Sequence, residues 1–404
     1  MNATDTPRLR RGLQFMAGQE PGTVYIADHF RLGGPIQISR AAFDVIRLFD
    51  GEKTLHQLQA ETAVMFGGEG ADLETLGNLV AGLDQEHFLD SPRLHARLNV
   101  PDRPPACIGC YDADPDKARR QLRRLFTAHG GPGLPGEAGC RVGTAGAVKA
   151  VLLPHMDYAR GGVTYGWGLK ELVERTDARL FVIVATSHYS GRRFTLTRQN
   201  FTSPLGRVET DQAYIDRLVA EYGDGLFGDP FAHVVEHSIE LEVVGMQYVF
   251  EGQRDFRIVP LLVGSFFDCV GDRVRPGDRA DVAAMIGALR RATAAAGEPV
   301  CYVISGDLAH IGPKFDDEDL VSDDQLTASK SQDDAILAKA VAADADGYFD
   351  VIAGENDARR ICGLPPTYVA LEAARPKRGS LLQYGRFVHP EGLESVSFAS
   401  VGFE

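Results

Sequence analysis

The stretch Arg179–His188, "RLFVIVATSH", decides the fold. Leu180 to Ala185 run apolar without interruption, rich in β-branched residues, and the run then breaks into Thr186, Ser187 and His188. A short continuous apolar run of this kind marks a strand covered on both faces, as in a parallel sheet. Three more runs read the same way: 147–154 "AVKAVLLP", 256–264 "FRIVPLLVG" and 299–307 "PVCYVISGD". Helical patterns fall between them, at about 162–174, 211–222, 236–250 and 278–296. Alternating strands and helices predict an α/β domain with a mostly parallel central sheet flanked by helices. The ligand crevice of such a domain lies at the carboxyl ends of its strands.

Upstream, the pattern changes. Residues 115–126 predict a helix with Ala118, Leu122, Leu125 and Phe126 on one side, started by Pro115 and stopped before Gly130. Pro/Gly-rich stretches flank it, so 99–147 reads as a lead-in helix with a flexible bridge at about 130–146. Before that, residues 1–98 form a separate small α+β unit. Strands at 23–30 and 36–39 are joined through Gly33-Gly34-Pro35. Ser39 caps a helix presenting Phe43, Ile46 and Phe49, and Thr54 caps a second with Leu55, Leu58 and Val64. A third starts at Asp72 and carries Leu73, Leu76, Leu79, Val80 and Leu83. The main domain then occupies 148–404.

Composition narrows the function classes. The 404 residues carry a formal charge of -14, which argues against non-specific binding to nucleic acid or an anionic membrane. No apolar run approaches the roughly 20 residues needed to cross a bilayer. Met1–Arg11 lacks the apolar stretch of a secretory signal, so a cytoplasmic protein is expected. Its six cysteines do not form a disulfide framework, and a reducing compartment keeps them as thiols. Cys107-Ile-Gly-Cys110 is a lone C-x-x-C pair without the second pair of a structural zinc site. Cys269 and Cys301 read as small buried side chains.

The chemistry collects behind the strands. His155 follows the first run, His188 the second, and Asp307 and His310 the last. In a parallel sheet all four reach one rim. Cys362, in the turn "RRICGLPP" (359–366), is a further candidate. Two imidazoles and a thiolate make a borderline-soft site that suits iron, copper or zinc. A second cluster, "HVVEHSIELE" (233–242), holds His233, Glu236 and His237 in the H-x-x-E-H order of inverted zinc proteases, a short motif with many chance matches. Glu236, His237 and Glu240 read better as a helix face lining the same cleft, where either glutamate can orient a histidine.

These motifs, taken in order, resemble the Memo family, also called AmmeMemoRadiSam system protein B. The correspondences run from "RPPACIGCYDADPDKARRQL" (103–122) through "LLPHMDYARGG" (152–162), "TSHYS" (186–190) and "SPLGRVETD" (203–211) to "EHSIELEVVGMQY" (236–248), "VPLLVG" (259–264), "SGDLAH" (305–310) and "ICG" (361–363). The family is similar in fold to class III extradiol dioxygenases, which use non-haem ferrous iron. The resemblance implies metal ligands His155, His188 and Cys362, an acid/base histidine at His310 beside Asp307, and His237 lining the pocket. Two features depart from the pattern. Cys362 replaces the dioxygenases' carboxylate ligand, and Asp157 and Arg160 stand where relatives carry small or hydroxyl residues. The string 38–58, "ISRAAFDVIRLFDGEKTLHQL", resembles the PqqD-like winged-helix domains that bind leader peptides.

Together these readings lead to a mononuclear non-haem metal redox enzyme, dioxygenase-like, acting on a small aromatic or peptide substrate. Fe(II) is the expected metal, with copper second and zinc less suited. A leader peptide or partner protein is expected at the first domain, with no nucleic-acid or membrane partner. The other reading is a metal-binding or protein-interaction protein that keeps the cleft without turnover.

Overall fold

The computed structural model describes residues 6–136 and 147–404. The chain divides into two compact units, one ending at Val100 and one running from Pro101 to Glu404. The first unit holds β1 (Leu13–Ala17), β2 (Thr23–Asp28) and β3 (Ile36–Ser39), then α1 (Arg40–Ile46), α2 (Leu55–Met65), α3 (Leu73–Gln85) and α4 (Pro92–Leu98). Its strands form one antiparallel sheet in the order β1-β2-β3. The three expected caps are in place. Ser39 Oγ accepts from Ala42 N, Thr54 and Gln57 form a reciprocal capping box, and Asp72 Oδ1 accepts from Thr75 N at 2.7 Å. Ile26, Ile46, Phe49, Leu58, Leu76, Val80 and Phe88 build its core. Val64 differs from expectation. It is 83% exposed, because α2 buries Leu55, Leu58 and Thr62 instead.

The second unit continues with β4 (Asp102–Arg103), α5 (Pro115–Thr127), β5 (Ala150–Leu153), α6 (Tyr158–Gly161), α7 (Val163–Arg175) and β6 (Leu180–Thr186). Next come β7 (Phe194–Leu196), β8 (Asn200–Ser203), β9 (Gly206–Thr210), α8 (Gln212–Tyr222), α9 (Ser238–Phe250) and β10 (Arg257–Val263). It ends with α10 (Phe267–Asp272), α11 (Ala280–Ala294), β11 (Val300–Ser305), β12 (His310–Ile311), α12 (Asp323–Val341), α13 (Ala345–Gly354), α14 (Leu364–Ala374), β13 (Gly379–Val388) and β14 (Ser395–Phe403).

Among the described residues the sheet has 11 strands, ordered β12-β14-β5-β11-β6-β10-β9-β8-β4, with β13 beside β14 and β7 beside β10. The four predicted strands, β5, β11, β6 and β10, lie together and run parallel. The sheet as a whole is mixed rather than mostly parallel. Antiparallel β14 closes against β5, β12 and β13 pair antiparallel with β14, and β7 pairs antiparallel with β10.

All seven residues of β6 are buried, and its pleat shares them between two cores. Leu180, Val182 and Val184 face the layer of α8, α11, α13 and α14, while Phe181, Ile183 and Ala185 face α5, α7 and α9. Fully burying each such aliphatic side chain contributes roughly 1.5–3 kcal/mol. The lead-in helix α5 buries the four predicted residues, Ala118, Leu122, Leu125 and Phe126. Part of the expected flexible bridge is tied down: the buried Lys170 Nζ donates to the carbonyls of Pro132 and Leu134, both at 3.0 Å. The rest, 137–146, lies outside the described residues. No helix among the described residues is long and apolar enough to cross a membrane.

Cys107 and Cys110, expected as thiols, are joined in a disulfide. The turn between them holds their Cα atoms 5.6 Å apart, within the span such a bond requires. Cys269 and Cys301 are free and buried, as expected.

Two glycines bring the last expected site residue to the strand ends. Gly306, after β11, lies so close to Gly363 that a Cβ on it would meet Gly363 Cα at 2.4 Å. Gly363 N donates to Asp307 O at 2.9 Å, and Thr186 Oγ1 donates to Cys362 O at 2.8 Å. Gly306→Ala is therefore expected to lower stability by about 1–3 kcal/mol through overpacking against backbone. Thermal denaturation checks this, and an unchanged melting temperature would show that the two turns separate freely.

Candidate metal centre

Each strand end delivers one part of the cluster. Pro154 ends β5, and the next residue, His155, is 3% exposed. Its backbone N donates to Asp307 Oδ1 at 3.0 Å, which ties the end of β5 to the end of β11. Its Nε2 lies 3.2 Å from Cys362 Sγ and 3.8 Å from Asp307 Oδ2, and its Nδ1 lies 3.4 Å from Ser305 Oγ. His188 follows β6 and rests on Glu236. Its backbone N donates to Glu236 Oε2 at 2.7 Å, and its Nδ1 lies 2.9 Å from Glu236 Oε1. That contact makes Nδ1 the protonated nitrogen and leaves Nε2 as the ligating lone pair. His237, at the start of α9, stacks on His188 with ring centroids 4.8 Å apart.

Donor atoms gather in two overlapping groups, each within 4.8 Å. One is His155, His188 and His237, and the other is His155, Asp307 and Cys362. The two histidines and one cysteine expected as ligands are thus divided between groups that share His155. The donor types fit a borderline-soft cation.

Electrostatics does not follow these groups: burial works against charged His188, but the charge and hydrogen bond of Glu236 outweigh it and raise its pKa, opposite to His155 and His237. Burial, then the neighbouring His188 and His237, hold His155 well below its ordinary pKa, so its neutral ligating form prevails. Burial likewise pushes His237 and His310 down to about 4. Burial works against ionised Glu236, but the charge and hydrogen bond of His188 outweigh it and hold the carboxyl below its usual range. Asp307 goes the other way: burial raises it to about 7 against the opposing His155 amide and His188. Removal from water, then Asp307, hold the Cys362 thiol well above its ordinary value.

Several sequence expectations change here. His233 and His237 do not share a helix face, because α9 starts only at Ser238. Glu236 accepts from the amides of His237 and Ser238, and this starts the helix after the motif. His233 lies in the preceding turn, buried and outside both donor groups, so the H-x-x-E-H motif does not build a zinc-protease site. Asp307 does not orient His310. The ring Nδ1 of His310 instead lies 3.1 Å from the carbonyls of Leu308 and Arg360, which makes Nδ1 the donor and leaves Nε2 unprotonated. Asp157 and Arg160 pair with each other at 2.5 Å. Of the two glutamates expected to orient a histidine, Glu236 does so, whereas Glu240 holds Arg103 and the 106–111 segment.

Sequence reading missed Glu242 and Ser305. Glu242 sits in the buried helix α9 with 0% exposure. Ser305 Oγ, the nearest relieving group, donates to Ser238 O at 2.6 Å, and neither Glu242 oxygen has a hydrogen-bond partner among the described residues. Its signal was a second acid, two residues after Glu240, in a helix otherwise apolar all round.

A mixed sheet flanked by helices, with imidazole, thiol and carboxyl groups that could hold a metal gathered at the carboxyl ends of its parallel strands, defines an α/β protein. The family model for Memo-like proteins matches residues 103–402, and the chain belongs to that family. It is 29% identical to a MEMO1 family protein of Methanothermobacter thermautotrophicus over 277 residues, 68% of this chain and 88% of that one. One from Methanopyrus kandleri is 28% identical over 75% of this chain and 99% of its own. A third, from Aquifex aeolicus, is 24% identical over 93% and 96%, and so extends into the first unit.

Glu242 gives the centre a pH signature. Burial holds its carboxyl well above the ordinary 4.5, so the folded protein keeps it protonated where the unfolded chain has ionised it. Its contribution to stability is complete below about pH 4.5 and is lost as pH rises. Glu242→Gln is expected to be more stable than wild type near pH 8, with the gap closing toward pH 5. Thermal denaturation of metal-free protein across that range measures it, and a gap independent of pH would contradict a neutral buried carboxyl.

Proposed function

We propose that this Memo-family chain is a mononuclear non-haem metal redox enzyme, dioxygenase-like, acting on a small aromatic or peptide substrate. The observation that carries the reading is the approach of Cys362 Sγ to His155 Nε2, at 3.2 Å, beside a His188 whose Nδ1 is already taken by Glu236. His155, His188 and Cys362 would hold the metal, with Fe(II) preferred, copper second and zinc least suited. Bound there, the metal would supply electron transfer between substrate and dioxygen at open coordination positions.

The chain's own residues do the rest. Glu236 holds His188 in one tautomer and one orientation. His310, neutral at pH 7 with Nε2 unoccupied by its two carbonyl contacts, accepts the substrate proton. Asp307 keeps the β5 and β11 ends in register through the His155 amide. His237, 28% exposed and stacked on His188, lines the opening where substrate enters. The kinship with extradiol dioxygenases in fold, and the peptide-binding role of the first unit, belong to the same proposal. An antiparallel sheet followed by capped helices supports a winged-helix-like leader-peptide domain there.

Metal analysis of anaerobically purified protein tests the site. His188→Ala and Cys362→Ala are expected to lose near-stoichiometric metal. His237→Ala and His310→Ala are expected to keep it, and His310→Ala to lose about 10²–10⁴-fold in oxygen consumption with the substrate. Loss of metal in His237→Ala with retention in Cys362→Ala would replace the thiolate by a third imidazole. Full turnover without His310 would favour a metal-binding protein with a retained cleft.

A further inference from the structure

The disulfide Cys107–Cys110 lies outside the donor cluster, and nothing in the proposed chemistry uses it. It closes a turn whose apex faces solvent: Ile108 is 47% exposed and Gly109 is exposed with φ of +112°. Both cysteines are half-buried. A bond between residues three apart closes the smallest of loops, so it restrains the unfolded chain little, and stability is not its main product. The turn also has its own backbone bonds. Cys110 N donates to Cys107 O at 2.9 Å and Gly109 N to Tyr111 O at 3.0 Å. From α5, Gln121 Nε2 donates to Cys110 O at 3.0 Å. These contacts keep a reduced pair close enough to re-form the bond, but none of them engages the amides of Ala106 and Cys107.

What the turn touches gives the bond a consequence. The amides of Ala106 and Cys107 donate to Glu240, at 2.9 Å and 2.8 Å, and Tyr111 Oη donates to the same carboxylate at 2.5 Å. Glu240 is in the first turn of α9, immediately after Glu236 and His237. Arg103 completes the clamp, with Nη1 on Glu240 and Nη2 donating to Glu236 O at 2.7 Å.

We propose that Cys107–Cys110 is a thiol–disulfide exchange site for a dithiol reductant, and that its redox state sets how tightly the 106–111 segment clamps Glu240 at the start of α9. In the exchange, a thiolate of the dithiol attacks one sulfur, forming a mixed disulfide, and the other cysteine leaves as a thiolate. The reductant's second thiolate then breaks the mixed disulfide. Two electrons and two protons pass to Cys107 and Cys110, and the dithiol becomes a disulfide.

The test uses the full-length, metal-free protein, so failure of the proposed metal site would not affect it. Dithiothreitol followed by maleimide labelling and peptide mass mapping is expected to add labels at Cys107 and Cys110, absent without dithiothreitol, on protein that remains folded. Glutathione disulfide is expected to restore the bond. Amide hydrogen exchange at Ala106 and Cys107 is expected to rise about tenfold or more on reduction, and a Cys107→Ser/Cys110→Ser variant to match reduced wild type. A bond that yields to dithiothreitol only after unfolding would overturn the exchange site. Equal amide protection in the two redox states, or a double variant protected like oxidised wild type, would overturn the clamp.

Discussion

The buried charge of Glu236 organises the crevice. A carboxylate 1% exposed is costly unless its oxygens are fully engaged, and here His188 meets it through both ring and amide, with the amides of His237 and Ser238 adding to the set. Satisfying that charge decides three things together. It selects the His188 tautomer, it places the first turn of α9, and it lays His237 over His188. Removing the His188 ring would leave Glu236 with only its backbone amides, from His188, His237 and Ser238. The structure therefore treats Glu236, His188 and the start of α9 as one unit.

Around that unit burial favours the protonated forms of three acidic groups, whereas Glu240 keeps its ion pair with Arg103. Asp307, Cys362 and Glu242 are all displaced upward by burial, and His155 between them is displaced downward. In the absence of a cation, protons supply the missing positive charge. A divalent ion reverses that balance, since a thiol coordinating it gives up its proton and a neutral imidazole is already in the ligating form.

Much of this was legible because the central strands are buried on both faces. β5, β6, β10 and β11 read as unbroken apolar runs, and the residues immediately after them had to lie on one rim. The remaining strands were harder to read. β14 interleaves serine with apolar residues, "SVSFASVGF", and β13 carries mostly part-exposed positions, so neither gives the continuous run that marks a parallel strand. β1 buries almost nothing of its own. The reading of Glu236, His237 and Glu240 as one helix face failed because α9 begins only at Ser238, after two of the three. The pairing of Cys107 with Cys110 was hidden for a different reason. A compartment argument about thiols does not contain the turn that holds the two residues together. Cys362 was placed by family resemblance, and only the Gly306–Gly363 contact explains how a residue 55 positions after Asp307 reaches it.

The same reasoning explains why the family's domain begins at Arg103, far upstream of its first central strand. Arg103 is 2% exposed, and its guanidinium donates to His233 O and Glu236 O while pairing with Glu240 at 2.5 Å. It also packs over Phe201 on β8, 4.9 Å from the ring centroid. A buried arginine with this many acceptors fixes the path of the segment before α9 as firmly as Glu236 fixes the segment after it. The two side chains bracket the turn 233–237 from opposite sides. The position of His237 over the crevice is thus set jointly by a residue 134 positions upstream and by its own neighbour, and a domain cut between Arg103 and β5 would lose the first of these supports.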